Sequence, residues 1–238
     1  MLCEQLIAAK QRRRQALAQR LLTGKARLPG FVKQPGTVPT HPYPLPKDWA
    51  YVRIGKVCRE LTGRNSDAAD LPVLSCTKHQ GLVSSLDYFG KRVFSEETSA
   101  YKLVPRGTFA YATNHIEEGS IGYQDLYDLA LISPIYTVFQ TTEQVDDSFL
   151  FRLLKTEWYR QLFQKHTNAS VDRRGSLRWS HFSEICIPLP SIREQRAIVE
   201  VLEDADREIA LHRAELDALK RQKRGLMQQL LTGKVRVP

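Results

Sequence analysis

The two ends of this chain are near copies of each other. Residues 21–25 read LLTGK, and so do residues 230–234. Sliding one end onto the other pairs Ala9 with Ala218, Arg12 with Arg221, Leu17 with Leu226, Gln19 with Gln228, Arg27 with Arg236 and Pro29 with Pro238. Solenoid units recur over far fewer residues. The spacing therefore predicts one helical element placed before and after a single globular domain. A chain built this way connects a module to something else, and leans away from a free-standing enzyme.

The C-terminal copy is the longer one. Ile198, Leu202, Ala205, Ile209, His212, Leu216, Leu219, Lys223, Leu226 and Leu230 recur in strict 4-3 alternation. That 3.5-residue period marks a coiled-coil seam rather than a broad helix face. No Pro or Gly falls between Ile192 and Gly225, and Gly233 with Pro238 supplies a stop. At 1.5 Å per residue the helix is about 60 Å long, too long for the flank of a small domain. The N-terminal copy matches only the distal half. Its seam is Ile7, Lys10, Arg14, Leu17 and Leu21, with two cations, so it is expected to pair more weakly.

Between the copies the boundaries are legible. Residues 1–28 form the N-terminal helix. Residues 29–46 hold six prolines and two glycines, an extended linker rather than an element. Residues 47–190 form the globular domain, and 191–238 the long helix. Strand patterns at 73–77, 101–104, 108–111, 130–132, 136–139 and 185–187, with a helical pattern over 149–164, predict a mixed α/β (α+β) domain. About 150 residues suffice for a sound core. The net charge of +9 hints at nucleic acid. Yet residues 31–190 carry 18 basic and 17 acidic side chains, so any binding face there must be a local cluster.

Covalent chemistry finds no foothold in the sequence. It holds no Gly-rich phosphate loop, HExxH, CxxC or Gly-x-Ser-x-Gly elbow, and no Asn/Asp-Pro-Pro-aromatic tetrapeptide. The carboxylate neighbours Asp146–Asp147 and Glu96–Glu97 read as solvated loop charges. The six histidines lack metal-ligand spacing, and no metal site is expected. Cys3, Cys58, Cys76 and Cys186 are scattered, which fits reduced thiols and a cytoplasmic location. No long apolar stretch suggests a membrane span.

Residues 189–198 (LPSIREQRAI), then Asp206, Ile209, Lys223, 225–227 (GLM), Gln229 and 230–236 (LLTGKVR), resemble the conserved helical region of type I restriction-modification specificity subunits. Residues 74–75, 77–79, 81–82, Tyr101, 106–107, 109–111, 119–121 and 133–136 resemble one type of their target recognition domains. The resemblance implies a non-catalytic, DNA-reading subunit. In that family two recognition domains, spaced by two antiparallel helices, each read half of a split target. Modification subunits supply S-adenosylmethionine and methyl transfer, so no cofactor is expected on this chain. A motor-nuclease (restriction) subunit adds cleavage. This chain departs from the pattern in having one recognition domain, as the second half of a full subunit or as a half-subunit.

Lys78, His79, Lys91, Arg92, Asn114, His115, Arg173, Arg174 and Arg178 are the candidate contacts to double-stranded DNA. Arg and Lys serve phosphates or guanine edges, and Asn reads adenine bidentately. For each residue the competing reading is a solvated surface side chain. Ile198, Leu202, Ala205, Ile209, Leu216, Leu219, Leu226 and Leu230 are the helix-pairing residues. The alternative for the whole chain is a coiled-coil adaptor whose central domain binds protein.

The family's antiparallel packing leaves two partners for residues 192–212: the chain's own residues 4–22, or residues 213–231 of a second molecule. The cationic Lys10 and Arg14 favour the second molecule, so a homodimer is expected.

Overall fold

The structure, a computed structural model, describes residues 2–40, 43–168 and 176–232. It divides into two compact units, residues 1–28 with 197–238, and residues 29–196. The first unit contains α1 (Leu2–Leu22) and most of the C-terminal helix. The second contains β1 (Thr37–Val38), β2 (Leu45–Pro46), β3 (Ala50–Arg53), α2 (Ile54–Val57), β4 (Cys58–Leu61), β5 (Val73–Thr77), β6 (Gly81–Ser84) and α3 (Ser85–Phe89). It continues with β7 (Lys102–Pro105), β8 (Thr108–Ala112), a 3-10 turn (Ile116–Glu118), β9 (Ile121–Gln124), β10 (Leu129–Ile132) and β11 (Tyr136–Thr141). Helices α4 (Asp147–Leu154), α5 (Glu157–Asn168) and α6 (Trp179–Phe182) precede β12 (Cys186–Leu189) and α7 (Ile192–Leu231). Among the described residues no helix is long and apolar enough to cross a membrane.

In the helical unit α1 lies antiparallel along α7, from its proximal half as far as Lys220. Glu4 accepts from Lys220 at 2.7 Å, Lys10 donates to Glu208 at 2.6 Å, and Arg14 holds Asp206 through two bonds at 2.7 and 2.9 Å. As the number rises along α1, its partner's number falls along α7. The expectation that Lys10 and Arg14 disfavour this pairing is corrected here. Both long side chains reach past the apolar line to acids on α7, so their charges are answered rather than buried. The Lys10 bond holds the Glu208 carboxyl below its ordinary value, and the Lys220 bond does the same for Glu4. Burial tracks the seam: Ile198, Leu202 and Ile209 are buried, Ala205, His212 and Leu216 half-buried. Leu219, beside the Glu4–Lys220 pair, is exposed, and so are Leu226 and Leu230 beyond it.

The central unit is built on two four-stranded sheets, ordered β6-β5-β10-β7 and β4-β11-β8-β9. Only the β5–β10 pair is parallel. Leu74, Leu82, Val104, Ala130 and Ile132 from the first sheet meet Ala110 and Val138 from the second in one core cluster. Alternation then sends Phe109, Tyr111 and Phe139 to the other face. There Phe109 stacks on Phe139 at 5.0 Å, and Phe182 of α6 lies 4.6 Å from Tyr111 and 5.9 Å from Phe163 of α5. The second sheet is thus covered on both sides, and all five residues of β8 are buried. Gly122 lets β9 approach β6, since a Cβ there would overlap the Leu82 amide nitrogen.

Two sequence expectations need correction. The Pro-rich segment is not wholly extended linker: β1 and β2 pair antiparallel, Val38 opposite Leu45, and Leu45 is buried. The helical pattern over 149–164 is two helices, because Thr156 turns its hydroxyl onto the Leu153 carbonyl at 2.7 Å while its own carbonyl receives the Arg160 amide. A threonine that bonds backward competes with the helix ladder and starts a new one.

The head of α7 belongs to the central unit. β12 pairs antiparallel with β3, and Gln195 just beyond it is fully buried. Its amide donates to the Gln144 carbonyl at 3.0 Å and the Pro190 carbonyl at 2.8 Å, and accepts from the Asp146 amide at 2.8 Å. Glu194, also buried, accepts from the Trp49 indole at 3.0 Å. Asp146 in turn caps α4 by accepting from the Phe149 amide at 3.0 Å. Replacing Gln195 by Ala strands three backbone groups and is expected to cost about 3 kcal/mol. Denaturant unfolding checks this, and a loss under about 1 kcal/mol contradicts the role given to Gln195.

Candidate nucleic-acid interface

Two adjoining clefts open on the central unit and share Glu60 and Trp179. The first, about 550 Å³, is walled by the loop after β8 (Thr113, Asn114), the start of β11 and residues 176–179, with Lys102 and Arg178 on its margin. The second, about 460 Å³, runs along β3, α2 and β4 and carries Arg53, Lys56 and Arg59. Trp179, between the two, is half-buried, and its ring lies 5.6 Å from Phe139 and 5.8 Å from Phe182. The floor is therefore fixed to the aromatic core. Five cations face two acids, Glu60 and Glu184. Glu184 is engaged by Arg53 at 3.0 Å. Burial pulls the Lys102 ammonium below its ordinary pKa, and nearby Glu60 opposes that shift.

The candidate DNA residues fall in several places. Asn114 and Arg178 meet in the first cleft. Lys78 and His79 are exposed on the turn between β5 and β6. That turn is pinned by Lys155, whose ammonium donates to the Lys78 carbonyl at 3.2 Å and the Gly119 carbonyl at 2.6 Å. His115 is exposed beside the 3-10 turn and faces Glu118 at 3.5 Å. Ligand atoms of His115, Glu117 and Glu118 come within 4.8 Å of one another. Two carboxylates so close make His115 a poor phosphate contact. Lys91 and Arg92 are exposed in the loop after α3, outside both clefts. Arg92 lies 5.0 Å over the Phe94 ring and donates to the Ser95 carbonyl. Arg173 and Arg174 lie outside the described residues.

Sequence reasoning passed over Arg53, Lys56, Arg59 and Lys102. They are spread along four elements with apolar and acidic neighbours, so no basic run marks them. Arg53, Lys56 and Arg59 follow one another along the second cleft, and Lys102 of β7 stands on the first.

The carboxylate neighbours have structural duties. Asp146 caps α4, and Asp147 accepts from the Tyr123 hydroxyl at 2.8 Å and from Thr141. The expectation of solvated loop charges is corrected for this pair. Glu97 accepts from the Ser99 amide on an exposed loop.

Fold and site together define a recognition module carried on a helix whose seam repeats at both ends. The family described as type I restriction modification DNA specificity domain matches residues 46–221. The chain is 34 % identical over 96 residues to the Type I restriction enzyme MjaVIII specificity subunit of Methanocaldococcus jannaschii, covering 40 % of this chain and 22 % of that protein. Its fold is similar to that of the HsdS subunit from Thermoanaerobacter tengcongensis, with a TM-score of 0.55 at 18 % identity over 94 % of this chain and 52 % of that one. It is also similar to the Type-I restriction-modification system S subunit from M. genitalium, with a TM-score of 0.54 at 15 % identity over 96 % and 56 %. The chain belongs to the type I restriction-modification DNA specificity family. It spans about half the length of these solved subunits and a fifth of the curated relative.

Thiol chemistry offers a check on the site. Burial pushes the Cys58 and Cys76 thiols up to about 12, with Asp147 adding to the shift at Cys58 and Lys155 opposing it at Cys76. Both stay protonated at pH 8 and are expected to resist a thiol reagent in the folded chain. Rapid labelling of Cys58 without unfolding contradicts the packing described.

Proposed function

We propose that this chain is the DNA-reading part of a type I restriction-modification system. Its central unit binds one half of a split target in double-stranded DNA. The observation that carries this reading is the pair of adjoining clefts, where Asn114 and Arg178 stand with Lys102, Lys56 and Arg59 within a domain of the specificity family. An Asn among arginines offers adenine and guanine readout together with phosphate contacts. The helices dock the modification methyltransferase. S-adenosylmethionine and methyl transfer belong to that subunit, and cleavage to a motor-nuclease subunit joined through the complex. The chain itself performs no catalysis and works in the cytoplasm. A second copy supplies the other half-site reader, giving a homodimer.

Salt dependence separates this reading from a protein-binding adaptor. Duplex binding by the purified chain should weaken steeply as salt rises, through counterion release. Reversing Lys56 and Arg178 to Glu, one on each cleft, should weaken binding at least about tenfold and flatten the salt slope by roughly two. Reversing Lys91 and Arg92, outside the clefts, should have the smaller effect. Equal losses from both pairs, or none from the cleft pair, place the DNA face elsewhere. Absence of any duplex binding favours the adaptor. Methyl incorporation from S-adenosylmethionine by the chain alone contradicts the non-catalytic role.

A further inference from the structure

The terminal repeat gives the helical unit an internal template. α1 and the distal half of α7 are one sequence unit, and α1 shows how that unit sits on a proximal half. Under the correspondence that pairs Leu17 with Leu226, the buried residues Ala18, Leu21 and Leu22 of α1 match Met227, Leu230 and Leu231. In α1 they are 8, 2 and 1 % exposed; in the distal half, 49, 44 and 83 %. The same unit is thus covered at one end of the chain and bare at the other. In α1 the unit is set along α7 by the ion pairs of Arg14, Lys10 and Glu4, which run from Asp206 to Lys220.

We infer that α1 is a built-in competitor for the surface on which two copies of this chain join. The proximal half of α7 accepts either α1 of its own chain or the distal half of a second copy, and α1 must leave before the second copy docks. This rests on the two-copy reading above and adds what controls it.

Charge and register support the second copy as the occupant. Arg14 corresponds to Lys223, so the docked distal half sets Lys223 against Asp206 of the second copy, where Arg14 now bonds. Applied in both directions, this contact requires a two-fold axis between Ala214 and Glu215, about the middle of the helix beyond residue 197. The interface is then self-complementary, as a closed dimer needs. Lys10 corresponds to Leu219, which makes the exchanged seam more apolar than the internal one. Two terms oppose exchange. Glu4, which holds Lys220, corresponds to Arg213, so docking replaces an ion pair by like charges. The tether between α1 and the central unit also keeps α1 at high local concentration. The single chain is accordingly closed, with an apolar distal half waiting for a vacant proximal one.

Sedimentation equilibrium on full-length variants tests this. K10E/R14E turns the two ion pairs to Asp206 and Glu208 into repulsions and leaves the distal half untouched. Its dimer dissociation constant should fall at least about tenfold below that of the unaltered chain, equivalent to about 1.4 kcal/mol. L226E/L230E should abolish the dimer in both backgrounds. Circular dichroism and duplex binding report folding. If charge reversal lowers the melting temperature of the central unit, the milder K10Q/R14Q is read in the same way. A dimer of equal strength with and without the α1 changes overturns the competitor and leaves the two-copy reading standing. Monomers throughout, at tens of micromolar, overturn both. A dimer that survives L226E/L230E overturns the proposed surface.

Discussion

A single side-chain amide closes the head of the long helix. Gln195 is fully buried, and both ends of its amide are satisfied by backbone groups of the central unit. Buried amides are costly unless every donor and acceptor is met. Here the bonds reach the loop before α4 and the strand end before α7, so two segments distant in sequence are fixed to one point. Trp49 adds a third segment through Glu194. The first turn of α7 is thereby core of the central unit.

From that turn onward the helix obeys a different rule. A 4-3 apolar line has no reason to persist through Leu230 unless something covers it. α1 covers the proximal part and its ion pairs set the register; surface pairs of this kind orient more than they stabilise. The distal part repeats the α1 sequence and stays bare.

Much of this was legible in the sequence because periodicity is a local property. The seam, the N-terminal copy and the strand patterns at 73–77, 108–111 and 136–139 all carry their period within a few residues. The break between α4 and α5 was not, because Thr156 reads as an ordinary helical position until its hydroxyl finds the Leu153 carbonyl. The pairing preference of α1 was misjudged for a related reason: Lys10 and Arg14 look like seam defects unless Asp206 and Glu208 are known to lie opposite. The clefts were half legible. Asn114 and Arg178 stood out by residue type, but they lie 64 positions apart and meet only across the folded sheet. Arg53, Lys56 and Arg59 gave no sign at all, for their partners in the surface come from other strands.

The proposed pairing of two readers through inverted helices has a consequence written in the DNA. Two identical readers related by a two-fold axis recognise the same half-sequence twice, in opposite orientation, at a separation set by the helices. Mapping the methylated positions in the genome of cells that carry this chain and its modification subunit reads that out directly. The account predicts a split palindrome, one half-site inverted across a fixed spacer. A bipartite motif with two different halves contradicts it.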